Sequence, residues 1–199
     1  MRFRPADTDA HGSGQGMTLP VILLPGIGGS GPDHWQSHWE RTDPDMTRFA
    51  PSDWDRPELA DWCEALDRAV EPLDRPPILV AHSLVCLLVA HWSAARQTPV
   101  AGAMLVAVPD PCGPAFPDEA RSFAQVPEQP LRFPSLIVAS ANDPYGTVDY
   151  SKRRARQWGS RLIALGPLGH INAGSNLGDW PEGRDILTSF RAEIEGEGA

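Results

Sequence analysis

The sequence has little cysteine, little positive charge and no long apolar run, and each shortage closes off a class of protein. Its three cysteines, Cys63, Cys86 and Cys112, cannot all pair within one chain and show no C-x-x-C spacing, which argues against a disulfide framework and against zinc and redox motifs. A reducing, cytoplasmic setting is expected. The 17 Lys and Arg are outnumbered by 26 Asp and Glu, so with a formal charge of −9 neither nucleic acid nor anionic lipid is an expected partner. No window reaches the roughly 18 uninterrupted apolar residues of a membrane span. The opening MRFRPADTDAHGSGQG has two arginines with no apolar stretch behind them, so neither a leader nor an anchor is expected.

What is present is ordinary globular material: 199 residues, 41% hydrophobic and 22% charged, enough for one α/β domain with a real core. Met1 to Gly16 is polar and rich in Gly and Asp and reads as a mobile tail, leaving 17–199 as a single domain. Beyond it, short apolar runs alternate with amphipathic stretches, the rhythm of parallel strands joined by helical crossovers. Six strands are expected: Val21 to Leu24, Thr47 to Ala50, Ile78 to Ala81, Ala103 to Ala107, Leu136 to Ser140 and Leu162 to Leu165. The third, fourth and fifth are continuous apolar runs, which places them at the centre of the sheet. Helices fit Leu59 to Val70, Leu84 to Arg96, Val148 to Trp158 and Ile186 to Ile194, the second of these apolar nearly all round and so deeply buried. Between Pro109 and Pro134 repeated prolines block both ladder bonds and helix interiors, and a loop region or small cap is expected.

In open α/β sheets ligands bind beyond the carboxyl ends of the strands. There the sequence offers Ser83 after ILVAH, Asp143 after LIVASAN and His170 after IALGPLG, each just past a different strand. Ser, Asp and His in that order match the α/β-hydrolase arrangement of a nucleophile, an orienting acid and a base. A serine hydroxyl is a weak nucleophile at neutral pH and needs an imidazole to take its proton; the carboxylate fixes the ring's tautomer and stabilises its charged form. The backbone amides of Leu84 and of Ile27 or Gly28 are the expected oxyanion donors. Trp35, Leu84 and Phe116 are candidates for an acyl pocket by loop position. The usual elbow, G-x-S-x-G, is here Ala81-His82-Ser83-Leu84-Val85, and the β-branched Val85 is expected to crowd a neighbouring strand and widen the turn.

Other features have plainer readings. Asp149 rivals Asp143 but falls in the first turn of a helix, where it complements the dipole. Gly26-Ile27-Gly28-Gly29-Ser30-Gly31 matches the dinucleotide fingerprint, yet Pro32, Asp33 and Trp35 make a poor start for a pyrophosphate-binding helix. His34 and His38 are spaced as metal ligands on one helix face, but HWQSH lacks the glutamate of H-E-x-x-H, so packing is expected rather than metal. His82 and His91 read as hydrogen-bonded core histidines, and Lys152-Arg153-Arg154 with Arg156 as a solvated helix face.

Taken together, LPGIGGSGPDHWQSHWE, AHSLVCLLVAHW, SANDP and GHINAGSNLGDWPEG resemble the small serine hydrolase family that includes the retinoblastoma-binding-protein-9-like and YdeN-like proteins. The resemblance runs from about Leu19 to Phe190. It implies a compact α/β-hydrolase fold, a mainly parallel six-stranded sheet with helices on both faces and little or no lid. It also implies esterase-like activity without a cofactor, with the triad on Ser83, Asp143 and His170. The family usually carries glycine where this chain has Val85, and that departure points to slow, altered or lost catalysis. Two readings follow: a cytoplasmic hydrolase of small or hydrophobic carboxylic esters working through an acyl-serine, or a catalytically weak or inactive hydrolase-fold binding protein.

Overall fold

Side chains on a strand point alternately to opposite faces, and in this chain that alternation feeds two separate apolar clusters. Ile22, Leu24, Leu79 and Ala81 enter one cluster; Val21, Leu23, Ile78 and Val80 enter the other. A computed structural model describes residues 18–197, so the expected tail, Met1 to Gly16, lies outside the described residues. The sheet comprises β1 (Val21–Leu24), β2 (Met46–Arg48), β3 (Ile78–His82), β4 (Gly102–Val106), β5 (Ser135–Ser140) and β6 (Arg161–Leu165) in the order β2-β1-β3-β4-β5-β6. Every adjacent pair is parallel, with Leu23 opposite Val80, Leu79 opposite Ala103 and Leu105 opposite Ile137.

Helices cover both faces. The first cluster takes the apolar sides of α2 (Leu59–Val70), α3 (Val85–Ala95) and α4 (Val148–Trp158); the second takes α1 (Trp35–Thr42) and α5 (Pro181–Glu197). In α2 the buried residues Trp62, Ala65, Leu66 and Val70 recur at helical spacing, while α3 is buried at every position from Val85 to Ala90. Thr147 caps α4 by accepting the Tyr150 N–H at 3.1 Å, and Gly159, with φ +69°, ends it.

Three elements depart from expectation. Helix α1 is additional; its only apolar residues are Trp35 and Trp39, and its N-cap is the His34 ring, which accepts the Gln36 N–H instead of the usual Ser, Thr or Asp. Helix α5 starts at Pro181 rather than Ile186, since proline suits a first helical position and a polar first turn hides the onset from an apolar pattern. Arg154 is not a solvated charge: its side chain is 13% exposed and donates to the Tyr150 hydroxyl and to Gln157. The proline-rich segment folds as loop with one 3₁₀ turn, Asp118–Phe123, that buries Ala120 and Phe123 beside Trp62.

From β1 the chain proceeds outward to β2, and from β3 it proceeds the other way to β4. The carboxyl ends of β1 and β3 therefore flank the point where strand order reverses, where a crevice opens. Gln36 crosses it from α1, its fully buried amide donating to Leu24 O at 3.2 Å and Val80 O at 3.1 Å.

Candidate active site

Strand β3 ends at His82 and helix α3 begins at Val85, so Ser83 must turn the chain within two residues. It does so in the left-handed region, φ +63°, with its N–H donating to Val106 O on β4 at 2.9 Å. The strain typical of a nucleophile elbow is thus present without the motif's glycines. Val85, at the position where the motif carries glycine, is fully buried in the cluster under α3, and Ser83 beside it adopts the left-handed turn.

The loops after β5 and β6 bring the other two residues to this point. His170 Nε2 lies 2.8 Å from Ser83 Oγ, and His170 Nδ1 lies 2.9 Å from each Asp143 carboxylate oxygen. The Asp143 side chain is 1% exposed and its Oδ1 also accepts the Tyr145 N–H at 2.9 Å, which fixes the carboxylate's direction. A carboxylate on Nδ1 places the ring's proton there and leaves the Nε2 lone pair for the serine hydroxyl. Asp149 is elsewhere, exposed in the first turn of α4 and paired with Lys152 at 2.9 Å.

Around this chain lies a cleft of about 440 Å³ bordered by Gly26, Ile27, Gly28, Ser30, Gly31, Leu84, Phe116, Tyr145 and Asn172. The large hydrophobic residues left exposed among the described residues, Ile27 and Tyr145, both stand on its rim. Trp35, expected in the pocket, is not there: it is 1% exposed beneath the site, its N–H donating to Ile171 O at 2.8 Å and its ring packed on Trp39 and Trp180. On the glycine loop, the Gly28 N–H is committed to Trp54 O at 3.1 Å. Arg48 braces the same loop by donating to Gly29 O, Ser30 O and Ser37 Oγ while pairing with Glu40.

Two further histidines adjoin the base. The His82 ring centroid is 5.0 Å from that of His170 and 4.7 Å from that of His34. Burial holds both neutral: it pushes His34 down to about 4, helped by the Arg48 charge, and His82 well below its ordinary value. His38 faces away, 3.3 Å from Asp179. Among the described residues no three His, Cys, Asp or Glu side chains gather as around a metal ion, and no helix is long and apolar enough to cross a membrane.

Tyr145, Arg48 and the cleft-facing His34 were not singled out for the site from sequence. Tyr145 alone carried a local signal, sitting two residues beyond Asp143 in an Asp-Pro turn whose side chain bonds back to the backbone.

A strained serine after the third strand, an acid after the fifth and a histidine after the sixth, on a parallel sheet, define the α/β-hydrolase fold. The chain belongs to the serine hydrolase family, which matches residues 21–189. It is similar to a structure described as a YdeN-like hydrolase from Pectobacterium atrosepticum, with 34% identity over 89% of this chain and 92% of that one, TM-score 0.80. The ydeN gene product of B. subtilis is 21% identical over 88% of this chain and 100% of that one, TM-score 0.72. A monoacylglycerol lipase from Paleococcus ferrophilus shares the fold at 12% identity, covering 89% of this chain and 95% of that one, TM-score 0.64. No curated protein sequence matches the chain.

Proposed function

We propose that the protein hydrolyses carboxylic esters of small or hydrophobic acyl groups through an acyl-serine at Ser83. The observation that carries this reading is the unbroken chain from Ser83 Oγ to His170 Nε2 at 2.8 Å and from His170 Nδ1 to Asp143 at 2.9 Å. In the first half-reaction Ser83 Oγ attacks the ester carbonyl as His170 Nε2 takes its proton. Collapse of the tetrahedral intermediate expels the alcohol, which leaves with that proton. Water then attacks the acyl-serine with His170 as base, the acid departs, and the proton returns to Ser83. Asp143 holds the ring and stabilises its charged form throughout.

The developing oxyanion is assigned to the backbone amides of Leu84 and Ile27, because the Gly28 amide already serves Trp54. Phe116, Leu84, Ile27 and Tyr145 give the cleft apolar walls, and among the described residues no Lys, Arg, Asp or Glu lines it, which suits an uncharged acyl group. The steps need no cofactor. Three free cysteines fit a cytoplasmic enzyme. A fluorophosphonate probe tests the reading: stoichiometric labelling at Ser83, lost in Ser83→Ala together with p-nitrophenyl ester turnover, is expected. A folded protein that resists labelling and turns over no ester is instead a hydrolase-fold binding protein.

A further inference from the structure

The backbone that carries His170 adopts a conformation it does not favour. Gly169 has φ +59°, and the next residue but one, Ile171, has φ +48°. A β-branched residue in the left-handed region is a conformational outlier that persists only where its surroundings impose it. Upstream, the loop is tied to the β5 end: the Leu168 N–H donates to Ser140 Oγ at 2.9 Å and the Gly169 N–H to Asn142 Oδ1 at 2.7 Å. Downstream, the two carbonyls that follow are each held by a buried ring. The His82 Nε2–H donates to His170 O at 2.9 Å, and the Trp35 Nε1–H donates to Ile171 O at 2.8 Å. A carbonyl only accepts, so the proton of the His82 ring sits on Nε2.

His82 immediately precedes Ser83. The elbow is therefore joined to His170 twice, once through Ser83 Oγ to the imidazole and once through the His82 ring to the His170 peptide. The first link is remade at every proton transfer. The second does not change during the reaction, and with Trp35 it fixes the loop from which the base projects.

We propose that His82, seconded by Trp35, is a positioning residue that sets the imidazole of His170 against the Ser83 hydroxyl by holding the His170–Ile171 backbone carbonyls. The proposal rests on the acyl-serine reading above. It requires an N–H donor at residue 82 and no acid–base chemistry there. Leucine removes the donor, whereas the Nε2 amide of glutamine reaches the position of the imidazole Nε2.

The experiment compares wild type, His82→Leu, His82→Gln and Trp35→Phe on a p-nitrophenyl ester, with thermal midpoints and the ring-nitrogen NMR signals of His170 recorded for each. In His82→Leu, kcat is expected to fall by about tenfold to a hundredfold, as for a misplaced reacting group, with KM within about threefold and the His170 signals shifted or broadened. His82→Gln is expected to restore kcat to within about fivefold of wild type, and Trp35→Phe to lower kcat by about threefold to tenfold with KM unchanged. Wild-type kcat in His82→Leu, or a His82→Gln variant as impaired as His82→Leu at the same thermal midpoint, overturns the proposal. Should His82→Leu fail to fold, unchanged kcat in Trp35→Phe together with failed rescue by His82→Gln does the same. If wild-type Ser83 resists the fluorophosphonate, the hydrolase reading fails separately, and the His170 signals decide: unchanged in His82→Leu, they overturn positioning as well.

Discussion

Gly26 and Ser83 are in backbone-to-side-chain contact: a methyl group at Gly26 would sit 3.0 Å from Ser83 Cβ and 3.0 Å from His82 O. Neither neighbour is a flexible side-chain end, so the His82–Ser83 segment must give by a few tenths of an ångström to admit one. Gly26→Ala is expected to lower kcat by at least about tenfold while costing about 1–3 kcal/mol of stability. Ester kinetics beside urea unfolding measure both, and a wild-type kcat would show that the elbow has slack.

Asp143 bonds His170 Nδ1 and the Tyr145 amide with one carboxylate. An amide in its place offers an N–H where the ring needs an acceptor, so Asp143→Asn should leave KM nearly unchanged and lower kcat by about 10³–10⁴-fold, as in other such triads. A loss below tenfold would mean that another group sets the tautomer.

Val85 is fully buried under α3 while Ser83 beside it keeps the left-handed turn of an elbow. Val85→Gly should therefore not speed fluorophosphonate labelling of Ser83. It should lower unfolding free energy by about 2–4 kcal/mol, through the cavity it leaves and the helix propensity it lowers. A faster labelling rate in the glycine variant would restore the crowding account.

Arg48 holds the carbonyls of Gly29 and Ser30, two and three residues beyond Ile27, whose amide is assigned to the oxyanion. Arg48→Ala removes the brace without touching Ser83 or His170. A drop in kcat of about tenfold is expected, and an unaltered kcat would separate the loop's order from its function.

His34 is ordinarily half-protonated near pH 6.5 when unfolded, but burial pushes it down to about 4 in the fold. The unfolded chain therefore takes up a proton that the native chain refuses, and this residue's share of stability is full above pH 6.5 and lost as pH falls through 4. Its share is about 3 kcal/mol at most, and buried His82 acts in the same direction. Urea unfolding between pH 7 and 4 should show a shallower decline for His34→Gln than for wild type; parallel declines would place the acid sensitivity elsewhere.

The sheet was legible because strands buried on both faces write themselves as apolar runs: β1 and helices α2 and α4 fall on the residues that periodicity marks. Ser83, Asp143 and His170 were legible for a related reason, since each follows such a run. What the sequence hid were partnerships made across the fold by residues with ordinary local roles. Trp35 looked like a pocket residue because it follows the glycine loop, and only the position of Ile171 O shows that its polar edge turns inward. Arg48 ends a three-residue edge strand, where nothing local announces that its guanidinium reaches back to Gly29 and Ser30. Helix α1 was hidden by brevity and by a histidine cap.

The Gln36 amide, donating to carbonyls of both β1 and β3, occupies the place where an adjoining peptide would continue the ladder. One side chain thus works as a rung borrowed from a helix. It ties the end of β1 to β3 where the crevice opens, with the carbonyls of Leu24 and Val80 both saturated. The gap into which substrate must enter is accordingly a stiff-walled slot, and specificity can drift through the residues along its lip without unfastening the scaffold beneath.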